Sequence, residues 1–187
     1  MTDAQLIDEA LAGQSSSFGQ LVTRYQDRLY NTLVHVLGNA EDASDVAQDA
    51  FVQAFIKLAS FRKHSAFYTW LYRIAFNLAI SSRRRAKPTI SIDQMREIAG
   101  NEPLSQVDGA LTMLDRQERV TQVRTALCRL SDEYRAVVVL REIDGCSYDE
   151  ISEILTLPIG TVRSRLFRAR VELRELLKEN YQEDLKL

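Results

Sequence analysis

One stretch of the chain interrupts helical periodicity and divides the sequence in two. Residues 87–109 hold two of the three prolines, two glycines and no sustained helical period. On either side, apolar residues recur mostly at i, i+3 and i+4, as in amphipathic helices, and few runs alternate. The apolar run 137–140 has a strand-like composition, but strong helix formers flank it, so we assign it to a helix. The sequence therefore predicts an all-α fold: two small helical domains joined by a flexible linker.

Positive charge is confined to two short segments of an otherwise acidic chain. The net charge of the 187 residues is -2, yet residues 62–87 carry seven basic and no acidic side chains. Residues 161–174 carry five arginines and one glutamate. A protein that coats nucleic acid without preference would spread its basic residues, because phosphate neutralisation supplies most non-specific affinity. The pattern predicts two localised contacts with a polyanion.

The C-terminal half contains the signals of a helix-turn-helix. Ser147 is followed three residues later by Glu150, the capping-box spacing of a helix start. Pro158 and Gly160 are expected to end that helix, and Thr161 to cap the next one. The second helix of such a motif can enter the major groove of DNA.

A helical wheel of that second helix separates an apolar face from a basic one. Val162, Leu166, Ala169 and Leu173 fall on one side and predict the buried face. The opposite side carries Ser164, Phe167, Arg168 and Val171, with Arg163 and Thr161 at its edges. A solvated helix with an incidental phenylalanine is the plainer interpretation of this helix alone. The capped helix and turn before it favour DNA contact.

Residues 67–85 form a second basic helix that is rich in aromatic side chains. Leu71, Ile74, Ala75 and Leu78 share its predicted core side. A second stripe contains Trp70, Arg73, Asn77, Ser81 and Arg84, and rings beside arginines suit unpaired bases. A core tryptophan beside a solvated basic end is an equally good interpretation of this helix alone.

A third helix, at residues 41–61, mixes acidic and aliphatic side chains on one face. Ala47, Phe51, Ala54 and Leu58 are predicted to be buried. Asp45, Gln48, Asp49, Val52 and Ile56 point the other way, as in a protein–protein contact. Scattered exposed apolar residues are common, so an ordinary solvated face remains open.

Three stretches, in this order, resemble the sigma-70 family of bacterial RNA polymerase initiation factors, and specifically its compact extracytoplasmic-function (ECF) group. They are DVAQDAF at 45–51, FYTWLYRIAFN at 67–77 and GCSYDEISEILTLPIGTVRSRLFRAR at 145–170. The resemblance covers nearly the whole chain. It implies a factor that binds core RNA polymerase, directs it to promoters through minus-35 and minus-10 recognition, and assists promoter melting.

The resemblance also implies a division of the chain and roles for single residues. Residues 1–87 would form the sigma2 domain, which binds the polymerase clamp and the minus-10 element. A linker would span 88–112, and 113–187 would form the sigma4 domain, which binds the minus-35 element and the polymerase flap. The residues implied for clamp binding are Asp45, Gln48, Asp49 and Val52. Those implied for the minus-10 element are Arg62, Lys63, His64, Trp70, Tyr72, Arg73, Asn77 and Arg84. Those implied for the minus-35 element are Thr161, Arg163, Ser164, Phe167 and Arg168.

Some of the minus-10 residues have more specific implied roles. Asn77, together with the loop 62–68, would capture a base flipped from the non-template strand. Trp70 and Tyr72 would support strand opening. Lys63 and His64 depart from the family pattern, since relatives often carry glycine or an acid there, so sequence preference at the minus-10 element is open.

The chain carries no sign of catalysis or of a cofactor. Cys128, Cys146, His35 and His64 fit no metal-ligand spacing, and no phosphate-binding glycine loop or nucleophile–histidine pair occurs. We therefore expect no cofactor, no small-molecule substrate and no enzymatic activity. No run of about 18 apolar residues occurs, so we expect no membrane insertion and a cytoplasmic protein.

Two other classes of protein share some of these features. A nuclease or recombinase could use a helix-turn-helix for targeting, and a stand-alone helix-turn-helix repressor would bind duplex DNA as a symmetric dimer without polymerase.

The expected partners under the family resemblance are core RNA polymerase and promoter DNA. Many members of the group also have an inhibitor protein, an anti-sigma factor, which is a further candidate partner.

Overall fold

The chain folds into helices in both of its halves. The computed structural model describes residues 1–85 and 110–184, with side chains at 1–82 and 119–179, and within these ranges it contains no strand. The N-terminal half contains α1 (Asp3–Leu11), α2 (Ser15–Leu37), α3 (Ala40–Ile56) and α4 (Phe67–Arg85). The C-terminal half contains α5 (Ala110–Arg129), α6 (Asp132–Val138), α7 (Tyr148–Leu155) and α8 (Ile159–Asp184). The predicted all-α class is confirmed. Of the predicted linker, residues 88–109 lie outside the described residues.

The N-terminal half is a bundle in which α2, α3 and α4 pack in sequence order. Gly38 ends α2 in the left-handed conformation, with φ 73°. Asn39 then caps α3 by accepting hydrogen bonds from the amides of Glu41 and Asp42. Small side chains on α3, such as Ala43 and Ala50, are fully buried and let its neighbours approach closely. The predicted core side of α3 is therefore confirmed.

The C-terminal half contains the predicted helix-turn-helix, formed by α7 and α8. Ser147 and Glu150 make both hydrogen bonds of the capping box at the start of α7. Thr156 ends α7 in the left-handed conformation, with φ 54°. One expectation was wrong: α8 begins at Ile159, so Thr161 lies inside its first turn and does not cap it. The backbone carbonyl of Pro158 accepts the first hydrogen bonds of α8, from the amides of Thr161 and Val162 at 2.8 and 3.1 Å.

The run 137–140 is helical, as predicted. Ser131 caps α6 through the amide of Tyr134, and the helix continues beyond Val138 as a wider π turn, Val139–Ile143. Val137 and Leu140 are fully buried there. None of the described helices is both long and apolar enough to cross a lipid bilayer.

The two halves pack against each other. Helix α7 lies on α4, and both α5 and the π turn contact α2. Arg135, which is 2% exposed, joins the halves by donating to Val36 O on α2 at 3.0 Å. The same guanidinium donates to the carbonyls of Leu127, Cys128 and Leu130 at 2.7, 2.6 and 2.8 Å. It thereby gives three carbonyls at the end of α5 a charged donor, and that of Leu127 also accepts from the Leu130 amide at 3.2 Å.

We predict that Arg135→Met lowers the free energy of unfolding by about 2–4 kcal/mol, because buried carbonyls lose a charged donor. Urea denaturation followed by circular dichroism measures this loss. Arg129→Met is the matched control, since Arg129 is half exposed and its ion pair within the described residues is with the exposed Glu179. The loss of free energy of unfolding should stay below about 1 kcal/mol. Equal losses for the two variants would contradict the role assigned to Arg135.

Candidate nucleic-acid interface

The outer face of α8 presents an aromatic ring among guanidinium groups. Phe167 is 70% exposed, and Arg163, Ser164 and Arg168 are exposed around it. The opposite face is buried through Val162, Leu166 and Ala169. The two faces derived from the helical wheel are therefore confirmed, while contact between the outer face and DNA stays a prediction. Thr161 is half buried, and its carbonyl accepts a hydrogen bond from the Ser164 hydroxyl at 3.0 Å.

The four arginines of residues 163–170 divide into two pairs by their ionic partners. Arg165 contacts Glu133 at 2.7 Å, and Arg170 donates two hydrogen bonds to Glu142 at 2.9 and 2.6 Å. Within the described part of the chain, Arg163 and Arg168 have no acidic partner. The sequence could place all four on a helix but could not indicate this difference, since Glu133 and Glu142 come from the preceding α6 and π turn.

The loop before α4 carries three exposed residues implied for the minus-10 element: Arg62, Lys63 and His64. Lys63 adopts the left-handed conformation, with φ 56°, which other residues than glycine adopt at a cost. Its ammonium group pairs with Asp8 on α1. Sequence reasoning did not connect α1 with this loop, because 55 positions separate the two charges.

The polar stripe of α4 is partly as predicted. Arg73, Asn77 and Ser81 are exposed on one side of the helix. Ser81 donates its hydroxyl to the backbone carbonyl of Asn77 at 2.8 Å, and Asn77 itself is exposed. Asn77 thus offers both a donor and an acceptor to an incoming base. The side chain of Arg84 lies outside the described residues.

Trp70 does not belong to this stripe. It is 8% exposed, and its ring packs 5.1 Å from that of Phe61 and 5.9 Å from that of Phe67. Its placement on an exposed, base-stacking stripe was wrong. A helical wheel gives the direction in which a side chain leaves the helix, but not what packs against it. Here Phe61, which precedes α4 in the chain, packs against the ring of Trp70.

Tyr72 is buried as well, at a contact between the two halves of the chain. It is 0% exposed, and its hydroxyl lies 3.0 Å from Thr32 Oγ1 and 3.4 Å from Asp144 Oδ1. Burial raises the pKa of Tyr72, so the hydroxyl keeps its proton and can donate. Tyr72 is therefore not available to DNA in this arrangement of the halves.

Two of the residues implied for polymerase binding, Gln48 and Val52, line a groove between α2 and α3. Asp45, Gln48, Asp49 and Val52 are all exposed, as predicted. The groove has a volume of about 610 Å³ and an apolar floor lined by Phe18, Val22, Phe51, Val52 and Phe55. Gln48 lies on its rim together with Gln26 and Asp27 of α2. The contribution of α2 was missed, because no pattern in that helix alone marks it as half of a groove.

The described residues do not form a metal site. No three histidine, cysteine, aspartate or glutamate side chains come together in the described ranges. Cys146 is 1% exposed, and burial raises the pKa of its thiol to about 12, which makes it unreactive.

Two parts of the chain match a known family. Residues 21–89 match Sigma-70 region 2, and residues 121–173 match Sigma-70, region 4. The chain is 39% identical over 180 residues to the ECF RNA polymerase sigma factor SigW of Bacillus subtilis, covering 92% of this chain and 95% of SigW. It is 36% identical over 175 residues to the ECF RNA polymerase sigma-E factor of Escherichia coli K12, covering 91% of each.

Solved structures agree with this assignment. CnrH in complex with the cytosolic domain of CnrY superposes with a TM-score of 0.68 at 29% identity, covering 95% of this chain and 97% of CnrH. The sigma factor RpoE of Bartonella quintana, in complex with the anti-sigma factor NepR, gives a TM-score of 0.64 at 28% identity, covering 86% and 96%. A helix-turn-helix and an N-terminal helical bundle with these motifs define a bacterial initiation factor, and the chain belongs to the sigma-70 family. Within that family it is an ECF sigma factor.

We predict that Trp70→Ala lowers the free energy of unfolding by about 3–5 kcal/mol, as expected for a large ring in a packed core. Asn77→Ala removes an exposed side chain from the same helix. It should change the free energy of unfolding by no more than about 0.5 kcal/mol. Urea denaturation measures both. A small effect of Trp70→Ala would restore the exposed, base-stacking assignment that its burial contradicts.

Proposed function

We infer that this chain is a transcription initiation factor that binds core RNA polymerase, directs it to promoters through minus-35 and minus-10 recognition, and assists promoter melting. One observation carries the inference: a single chain contains both a basic helix-turn-helix and a helix, α4, that exposes Asn77. The two features lie in the segments that match sigma-70 regions 4 and 2, respectively. Neither surface has the character of a catalytic site. The finer assignments below follow from the contacts of each surface.

The minus-35 element is assigned to the exposed face of α8. Phe167 offers an apolar surface suited to a thymine methyl or a sugar, and a guanidinium can bind a guanine edge with two hydrogen bonds. Of the four arginines in residues 163–170, Arg163 and Arg168 have no acidic partner in the described ranges, so they can bind DNA without first breaking an ion pair. Arg165 and Arg170 would first have to leave Glu133 and Glu142.

The minus-10 element is assigned to the loop 62–66 and the exposed stripe of α4. A flipped base costs a few kcal/mol to unstack and needs a pocket with hydrogen-bonding groups. Asn77 supplies such groups, with Arg62 and Arg73 exposed nearby on the same segment to hold phosphates. The Lys63–Asp8 ion pair supports a defined loop shape, while it reduces the positive charge that Lys63 presents to DNA.

The polymerase clamp is assigned to the groove between α2 and α3. The apolar floor provides surface that gains from burial, and the rim residue Gln48 provides polar specificity. Asp49, exposed on α3 beside Gln48, adds a negative charge. Because the whole chain is acidic, with net charge -2, its own attraction for DNA is weak. The polymerase supplies the remaining affinity, so promoter choice requires the complex of the two proteins.

Three further assignments complete the proposal. The chain acts in the cytoplasm, where core polymerase meets the chromosome, and it carries no catalytic activity of its own. Supercoiled DNA that is cleaved by the chain with a divalent metal ion would favour the nuclease alternative instead. Two similar structures are complexes, with the anti-sigma factor NepR in one case and with the cytosolic domain of CnrY in the other. An anti-sigma factor is therefore a proposed partner of this chain as well.

We predict that Gln48→Ala combined with Asp49→Arg abolishes association with core polymerase and transcription from a promoter library, while unfolding stability stays within about 0.5 kcal/mol. Both side chains are exposed, so the core of α3 is untouched. Glu153→Arg on α7 is the control, because it changes net charge by the same two units without touching α3. Normal co-purification of the double variant with core polymerase would rule out the clamp assignment.

The arginines of α8 should differ in what their removal changes. We predict that Arg168→Ala weakens the free energy of binding to promoter DNA by about 1–3 kcal/mol. The variant should also relax the base preference at one position of the minus-35 element. Arg163→Ala should weaken binding to all sequences alike. It should also lower the slope of log affinity against log salt concentration by about one. Arg165→Ala and Arg170→Ala are the matched controls, since their partners are Glu133 and Glu142. The affinity of the holoenzyme for single-base minus-35 variants, measured across a salt series, tests all four substitutions. Equal losses of affinity would contradict base reading and would mean that the face binds DNA only through its positive charge.

A further inference from the structure

The loop before α4 has both of its ends packed among aromatic rings. We call residues 62–66 the minus-10 loop. Phe61 precedes the loop and Phe67 follows it, and the centres of their rings lie 5.9 Å apart, with the ring planes at right angles. The ring of Trp70 lies 5.1 Å from that of Phe61 and 5.9 Å from that of Phe67. The ends of the loop are therefore fixed by the core, whereas most of the residues between them are exposed.

One ion pair restrains the exposed part of this loop. The ammonium group of Lys63 pairs with the carboxylate of Asp8 on α1. In the described part of the chain, no other side chain of the minus-10 loop makes a hydrogen bond or an ion pair. Lys63 also has a φ of 56°, and a residue with a Cβ atom keeps the left-handed conformation only where its surroundings favour it. The ion pair with Asp8 supplies such a contact.

Helix α1, which carries Asp8, is itself fixed to α2 near both of its ends. Close to its start, Asp3 accepts a hydrogen bond from the hydroxyl of Tyr25 on α2. Close to its end, Glu9 accepts one from the hydroxyl of Ser17 at 2.6 Å. Two apolar side chains between these contacts are buried in the core. Asp8 is exposed, so α1 presents its carboxylate at a defined place beside the minus-10 loop.

The exposure of the pair sets the size of the effect that its loss should have. The side chains of Lys63 and Asp8 are 44% and 62% exposed, so water screens their attraction. An exposed pair of this kind shifts an equilibrium by about two- to fivefold. Losing it would leave the helical bundle folded, but the minus-10 loop would adopt other shapes for a larger share of the time. The loss would also leave the ammonium group of Lys63 with its full positive charge beside the proposed minus-10 surface.

We propose that Asp8 is a positioning residue for minus-10 recognition. Through Lys63 it keeps the minus-10 loop in the shape that accepts the flipped base, and it keeps the charge of Lys63 from the phosphates of DNA. A base that fits the ordered loop gains affinity from this preorganisation, whereas a base that does not fit gains none. The pair therefore favours discrimination between bases over general attraction to DNA. This role rests on the proposed function, whereas the restrained shape of the loop does not.

The first measurement tests the shape of the loop in the free chain. Trypsin cuts after Arg62, and the cleavage rate follows the share of molecules whose loop has left its folded shape. Asp8→Ala should raise this rate about two- to fivefold, because alanine cannot pair with Lys63. Alanine is a good helix former, so the circular dichroism of the variant should match that of the wild type. Glu153→Ala removes an exposed carboxylate from α7 instead and is the control, which should leave the rate unchanged.

The second measurement tests promoter recognition by the complex of the chain with core polymerase. The affinity of this complex for promoters with single-base changes in the minus-10 element is measured across a salt series. Asp8→Ala should lower the discrimination between the preferred base and the others about two- to fivefold at one position. It should also steepen the slope of log affinity against log salt concentration by about one, because the unpaired Lys63 can bind a phosphate. A purely structural role of Asp8 would not steepen that slope.

Two substitutions at the other end of the pair make the test specific. Lys63→Met keeps the aliphatic part of the side chain without its charge. It should lower base discrimination as Asp8→Ala does, but without steepening the salt dependence, and Asp8→Ala should add little to it because the two side chains share one interaction. Lys63→Gly should discriminate better and resist trypsin better than Lys63→Met, because glycine adopts the left-handed conformation without cost. If Asp8→Ala loses helix, Lys63→Met takes its place, since it leaves α1 unchanged.

The possible results separate this role from the proposed function. Trypsin cleavage that neither Asp8→Ala nor Lys63→Met accelerates would overturn the restraint on the loop. Faster cleavage with unchanged base discrimination in both variants would overturn the positioning role. A shallower salt dependence for Lys63→Met would mean that Lys63 binds DNA itself in the wild type, and it would overturn the proposal as well. Failure of polymerase to bind even the wild type would overturn the proposed function and the positioning role together, while the trypsin rates would still decide the shape of the loop.

Discussion

A single buried guanidinium joins the ends of two helices from different halves of the molecule. Arg135 satisfies three carbonyls where α5 ends and one near the end of α2. Helix ends leave carbonyls without partners, and burying them unpaired would cost more than most single contacts gain. The position of Arg135 on α6 therefore sets how α5 turns into the helix-turn-helix and where that half meets α2. Helix α8 packs on α6, so its place also depends on this contact.

Acidic residues in this protein act mainly by limiting what the basic ones can do. Glu133 and Glu142 hold two arginines of α8, Asp8 holds Lys63, and Asp144 holds Arg28. An isolated basic helix would bind any duplex through its phosphates, and strongly at low salt. Pairing leaves a small, defined set of cations exposed. Weak intrinsic binding is compatible with function here, because an initiation factor must choose promoters together with polymerase rather than alone.

The sequence was a good guide wherever one helix carried the whole signal. The faces of α3 and α8, the capping box at Ser147 and the helical state of 137–140 all follow from spacing within a single element, and all were confirmed. The start of α8 was misjudged because Pro158 and Gly160 can either stop a helix or begin one, and the choice depends on the Thr156 turn. Local patterns could not rank those two outcomes.

Residues whose surroundings come from elsewhere in the chain could not be judged in the same way. The pattern of α4 left open whether Trp70 is exposed or buried, and the resemblance alone gave Tyr72 a role. In the structure Phe61 covers Trp70, and Thr32 and Asp144 enclose Tyr72. The sequence by itself determined the helices, their apolar faces, the two basic segments and the family. Only the tertiary structure decided which arginines are free, where the α2–α3 groove lies and that the halves close on each other. The reason is physical: helix formation depends on neighbours a few residues away, whereas burial and ion pairing depend on partners up to 116 residues apart.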